Sequence, residues 1–328
     1  MDRAAFRRVL WNAGESRPRT PWRLLGQTFL LVVLFLVLAI VFRPVAAFAR
    51  TWGLFVEVAP LAVMAADLVA FAAVTLASIL LAVRYLDRRT LADLGLGGGR
   101  DWWTDLGIGL ALGGGLVSAI FLTKLVGGWI EVEAGGAGGQ PGTTLAGALL
   151  VGAVMMVAVG VWEEVLFRGY YLVNLAEGMR GLPWMDPRRA TLLAALLTSL
   201  GFGLVHSFNP GATVAHGLLV AIYGGYLAAA YLLTGNLALP IGFHVAWNYA
   251  QSFVFGFPVS GLDLALGLVQ TEPTGPRVLT GGSFGPEGGL VALVWLLLSI
   301  PLLVWWSRRR NRPAPQMVAE PQLRDRDG

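Results

Sequence analysis

The stretch Trp162-Glu163-Glu164-Val165-Leu166-Phe167-Arg168 sets two adjacent carboxylates and a guanidinium inside a run otherwise built of Val, Met, Ala, Leu and Phe. At membrane depth an ionisable side chain costs roughly 2.5–3.5 kcal/mol on insertion scales, so such a group marks a candidate functional site. On a helix Glu164 and Arg168 stand four apart, acid first, the favoured order for an ion pair. Glu163 is turned about 100° from Glu164 and is left without Arg168 as its natural partner. This spacing predicts a division of labour: Glu164 and Arg168 hold the site together, and Glu163 is free for chemistry. The competing reading is one structural polar cluster of all three.

The surroundings say membrane. Of 328 residues, 56% are hydrophobic and 13% charged, about half the charge of a soluble domain, and the mean hydropathy is +0.66. Apolar runs fall at about 24–42, 58–83, 106–125, 144–171, 190–206, 213–233, 237–257 and 290–306, each near the length that crosses a bilayer. The fold class expected is therefore all-α, a polytopic bundle of about eight transmembrane helices. The first run has no small-residue cleavage site clearly placed after it and reads as a retained span. There are no cysteines, which excludes disulfides, cysteine nucleophiles and thiolate metal sites.

The net charge is +4. Basic residues, nearly all Arg, sit in short flanks of the apolar runs, so they read as topology signal and not as a nucleic-acid surface. The polar segment 1–23, the loop with Arg84, Arg88, Arg89 and Arg100, the loop with Arg180, Arg188 and Arg189, and the cluster Arg308–Arg310 should all be cytoplasmic. They can share one side only if the number of spans is even, as eight is. Both termini are then cytoplasmic, the tail 307–328 is Pro-rich and disordered, and the loops 135–142 and 258–287 lie outside. Gly109 and Gly113, four apart, suit close helix packing. Asp67, alone in its run, is expected to pair with a polar group on a neighbouring helix.

Two further runs carry chemistry. His244, Asn248, Gln251 and Ser252 fall at i, i+4, i+7 and i+8, a polar stripe that must face the bundle interior or a water-filled cavity. Interhelical hydrogen bonding alone would explain Gln251 and Ser252; His244 is costlier in that role. In Phe202-Gly203-Leu204-Val205-His206, Phe202 lies one turn before His206 on the same face. His216 opens the sixth run and matches no pattern, so it reads as interfacial. Together a carboxylate in apolar surroundings, a His that orients water, and His and Asn donors for an oxyanion make a hydrolytic set. No nucleophile-elbow serine and no HExxH pattern is present. Along-helix depths converge only loosely: Glu163 lies roughly 21 Å from Glu177, and His206 roughly 26 Å from Arg189.

Glu163-Glu164-x-x-x-Arg168, Phe202-x-x-x-His206 and His244-x-x-x-Asn248, each on its own apolar run, resemble the three motifs of the CAAX-protease and bacteriocin-processing (Abi) family. Its members are intramembrane endopeptidases related to the Ras-converting CAAX endopeptidase. The resemblance covers about residues 150–255. It implies an eight-helix bundle, with a membrane-embedded peptidase domain over 24–306 and a motif core at 144–257. It implies a site that opens to the cytoplasmic side and the lipid. By resemblance, Glu163 is the base that activates water together with His206, His244 and Asn248 stabilise the oxyanion, and Glu164, Arg168 and Phe202 support the site. No cofactor is required on this reading; a zinc ion held by Glu163, His206 and His244 is the alternative. The implied partners are the lipid bilayer and a membrane-associated protein or peptide, at a bacterial cell membrane. A non-catalytic member acting in binding or immunity, or a proton-coupled transporter, would fit the same residues.

Overall fold

The computed structural model describes residues 9–42, 60–134, 144–264 and 266–310. The Gly-rich stretch 135–142 lies outside the described residues; of the tail expected to be disordered from 307, Ser307–Arg309 instead form the last turn of a helix, and the residues beyond Arg310 lie outside the described residues. Helices dominate: α1 (Thr20–Val37), α2 (Pro60–Leu81), α3 (Arg100–Val126), α4 (Leu145–Glu164), α5 (Val173–Arg180), α6 (Pro187–His206), α7 (Val214–Thr234), α8 (Ala238–Tyr249), α9 (Leu290–Leu298) and α10 (Ile300–Arg309). A π segment, Val165–Leu172, joins α4 and α5 into one rod, and another, Ala250–Val254, extends α8. Pro301 opens α10, where its missing N–H costs least, so α9 and α10 form one bent element.

The chain is a polytopic helical membrane protein: seven of its described helices are long and apolar enough to cross a bilayer. The eighth expected span is α8 with its π extension, and it is too short to count among them. The reason is that it begins inside the bundle. The Asn236 side chain donates to buried Asp105 at 2.8 Å and accepts from Ala238 N at 2.9 Å, while Leu237 N donates to Gly95 O at 2.9 Å. A helix that starts part-way down and is walled by other helices has no hydrocarbon to match.

Glycine lets those walls close. A Cβ on Gly109 would lie 2.2 Å from Leu239 O, one on Gly113 2.3 Å from Phe243 O, and one on Gly242 2.3 Å from Leu106 O. The Gly109/Gly113 face of α3 is thus pressed backbone to backbone against α8, the use small residues have in membranes.

The two ends of the bundle differ in charge. At one end Arg17, Arg23 and Arg89, all buried, converge on Glu177; Arg17 Nη2 and Arg23 Nη2 approach Glu177 Oε1 at 2.7 and 2.8 Å. Arg23 also pairs with Asp87 at 3.3 Å. Arg310 binds Asp101 and Asp105 at the same end, where Asp105 also receives Trp306 Nε1. So the segments holding Arg17 and Arg23, read as plain flanking charge, are packed elements, with β1 (Trp11–Asn12) and β2 (Arg17–Pro18) paired antiparallel.

At the other end β3 (Ile130–Ala134) pairs antiparallel with β4 (Val269–Pro273), Ile130 opposite Pro273. The segments 207–213 and 255–289 close that end: His216 caps α7 through Thr213 and stacks on Phe284 with ring centres 4.3 Å apart. Lys124 is buried there and donates to Thr280 O at 2.6 Å. Asp67 departs from expectation. It is exposed on α2 and has no polar partner among the described residues.

Candidate active site

α4 is set by its Thr144 cap, whose side chain accepts from Gly147 N, and it brings Glu163 and Glu164 to its last turn. The wider π turn begins at the next residue. Such segments inside α-helices recur at functional sites.

Glu164 is fully buried and is the hub of an ion-pair cluster. Arg168 Nη1 donates to Glu164 Oε1 at 2.7 Å, and His244 Nδ1 donates to the same oxygen at 2.8 Å. The second arm of the Arg168 fork, Nη2, donates to Gly224 O at 3.0 Å. A Cβ on Gly224 would stand 3.2 Å from Ser199 Cα and 3.3 Å from Arg168 Nη2, so glycine there keeps α7 close to both α6 and the guanidinium.

Phe202 organises the aromatic side of the cluster. Its ring lies 4.5 Å from the Arg168 guanidinium, 4.4 Å from the His206 ring and 6.1 Å from the His244 ring. The guanidinium over the ring is a cation–π contact. His206 Nδ1 donates to Phe202 O at 2.8 Å. A carbonyl can only accept, so the other ring nitrogen, Nε2, is left to accept from the cavity whenever the ring is neutral.

Glu163 turns the other way. Its closest charged neighbour is His244 Nε2, 3.7 Å from Oε2, and that oxygen has no hydrogen-bond donor among the described residues. Asn248 follows His244 by one turn, is buried, and its side chain is likewise unbonded among them.

Glu163, His206, His244 and Asn248 all line a single cavity of about 440 Å³. Its walls are otherwise mostly apolar, with Met64, Leu68 and Phe71 from α2, Met155, Met156 and Trp162 from α4, and Trp247 from α8. Glu164 and Arg168 stand behind it. Among the described residues no three His, Asp or Glu side chains are gathered closely enough to hold a metal ion. Glu163, His206 and His244 share the cavity; with Glu164 on its Nδ1, His244 turns Nε2 toward Glu163 Oε2.

The cavity also holds groups that sequence reasoning passed over. Asn209, Tyr223, Ser260 and Glu287 line it. Glu287 is buried at the end of a loop; it accepts from Gln251 Nε2 through Oε2, and from Ser260 N and Oγ through Oε1. Burial pushes its carboxyl above the usual range, partly offset by these donors. The only sequence cue is an acid set among glycines, Gly285-Pro286-Glu287-Gly288-Gly289, just before an apolar run.

Fold and site together define a polytopic helical membrane protein with a carboxylate–imidazole cluster facing an internal apolar cavity. Residues 145–250 match one family model, that of the Rce1-like type II CAAX prenyl endopeptidases. That match covers the same stretch as the resemblance of the three motifs and agrees with it. No curated protein and no solved structure matches the chain.

Proposed function

We propose that this protein is an intramembrane endopeptidase that hydrolyses peptide bonds of membrane-associated substrates with a water activated by Glu163. The observation that carries the proposal is the convergence of Glu163, His206, His244 and Asn248, from three helices, on one cavity. The Rce1-like match over residues 145–250 supports the same class of activity.

The steps follow from the atoms. A water in the cavity gives one proton to Glu163 and is oriented by its other hydrogen toward His206 Nε2. The oxygen bonds to the substrate carbonyl carbon, and charge develops on the carbonyl oxygen. In its protonated form His244 keeps one N–H on Glu164 and aims the second, at Nε2, into the cavity. Beside it Asn248 offers an amide N–H, so two donors one turn apart can share the oxyanion. The proton then passes from Glu163 to the leaving nitrogen as the C–N bond breaks, leaving a new carboxyl and a new amine. Glu164, Arg168 and Phe202 position His244 and His206 and touch no reacting atom.

A direct test compares membranes from a bacterial host expressing wild-type protein, Glu163→Gln or Glu164→Gln, by sequencing newly formed protein N-termini. A farnesylated CAAX peptide serves as a parallel probe. Termini made by wild type and absent with inserted, folded Glu163→Gln are expected, and chelation should leave them unchanged. Normal cleavage by Glu163→Gln would remove the proposed base.

A further inference from the structure

The cavity and the basic residues lie at opposite ends of this bundle, and the consequence concerns which proteins can be cut. The positive end is built from the segments of Arg17, Arg23 and Arg89, the turn between α5 and α6, and Arg310. Short basic loops next to spans stay in the cytoplasm. At the other end, the described loops carry a single exposed base, Arg277; Lys124 is buried. Acids prevail there: Glu131, Glu133, Asp263 and Glu272.

The cavity belongs to that second end. α6 starts at Pro187 beside Arg188 and Arg189 and ends at His206, about 26 Å beyond Arg189 along its axis. His206 therefore stands at the far boundary of a hydrocarbon layer about 30 Å thick. Asn209, Ser260, Leu262 and Glu287, which complete the lining, all come from the segments closing that end. The exposed lining residues are Met64, four residues into α2, Val205, next to last in α6, and Leu262. The mouth is thus framed by α2, α6 and a loop, within a turn or two of the same membrane surface.

We infer that the site opens sideways to the leaflet and aqueous phase opposite the cytoplasm, and that its substrates are segments of membrane-anchored or exported polypeptides presented on that side. This deepens the peptidase reading and rests on it. It reverses the side that the family resemblance implies, and cytoplasmic tails would not reach Glu163.

The chain has no cysteine, so single cysteines report sidedness without a cysteine-free background having to be made. Leu262→Cys at the mouth and Phe208→Cys in the neighbouring segment, 83% exposed, are compared with Trp184→Cys at the basic end, 67% exposed. Each is expressed in the inner membrane of a bacterial host and treated in intact spheroplasts with a membrane-impermeant maleimide. Cysteines at 262 and 208 should label in intact spheroplasts, and that at 184 only after permeabilisation. The reverse pattern, or labelling at 262 and 208 only after permeabilisation, overturns the inference. Two positions guard against one variant failing to fold. The readout needs no catalysis, so its failure is separable from that of the peptidase reading. Where Glu163-dependent cleavages are found, their new N-termini should lie on the exported side of the substrate or in the outer half of its span.

Discussion

Gly113→Ala is expected to disable the site from a distance. The added methyl would sit 2.3 Å from Phe243 O, the carbonyl of the residue immediately before His244. Ordinary van der Waals contact begins near 3.4 Å, so α3 and α8 must part by roughly 1 Å at that point. Overpacking of this kind costs about 1–3 kcal/mol. Part of that is offset by the gain of about 1 kcal/mol when Ala replaces Gly in a helix. The neighbouring Gly114→Ala supplies the reference, because its methyl would meet only Ala246 Cβ at 4.0 Å. Both substitutions carry the same propensity gain, so their difference isolates the steric term. The same displacement would lengthen the 2.8 Å bond from His244 Nδ1 to Glu164 beyond hydrogen-bonding range. Misplacement by about 1 Å is enough to cost on the order of 10²-fold in turnover. The assay is thermal unfolding in detergent beside cleavage by the same samples. If Gly113→Ala unfolds and cleaves like Gly114→Ala, backbone contact between α3 and α8 does not place His244, and the reasoning fails.

Arg168→Met should destabilise by about 3–5 kcal/mol, the range for removing one partner of a buried ion pair; Arg168→Lys should recover little, since its single nitrogen cannot reproduce the fork that reaches Glu164 through Nη1 and Gly224 O through Nη2. Unfolding in detergent measures both. Asp105→Ala should cost about 3 kcal/mol, because it strips an acceptor from Asn236, Trp306 and Arg310 at once; Arg310→Ala, nearer the surface, should cost far less. Glu287 gives a pH signature. Its carboxyl is raised in the fold by burial, so the folded state binds the proton more tightly than the unfolded state does. Stability is therefore highest below the ordinary carboxylate range and falls as pH rises through the raised value. Glu287→Gln should abolish that component of the melting-temperature profile; a profile unchanged by the substitution would refute it.

Much of the architecture could be read from apolar run length, since a span that must satisfy its own backbone leaves a run of fixed size. What could be read of the site was its local part. The pairing of Glu164 with Arg168 follows from i,i+4 spacing, and the separate direction of Glu163 follows from a helical turn. The cross-helix part could not be read. His244 bonds Glu164 and only approaches Glu163, and no spacing within one helix distinguishes those two carboxylates. Glu287 was equally out of reach, because a loop has no period to say which way a side chain points. Asp67 shows the opposite error: the cost of an intramembrane acid argued for a partner, and the acid faces outward without one among the described residues.

The loose agreement of depths has a physical resolution that also explains why α8 is short. Counted from the basic loops, His244 and Glu163 differ by several ångströms along their helices if both helices start at the membrane surface. They do not. Asp105, buried on α3, draws Asn236 inward, and Gly95 O holds Leu237, so α8 starts below that surface and needs fewer residues to reach the carboxylates. A buried acid with no part in the proposed chemistry thereby sets the height of the histidine that has one. Depth in such a bundle is fixed by where a helix is anchored, and anchors of this kind are tertiary contacts between residues more than a hundred positions apart.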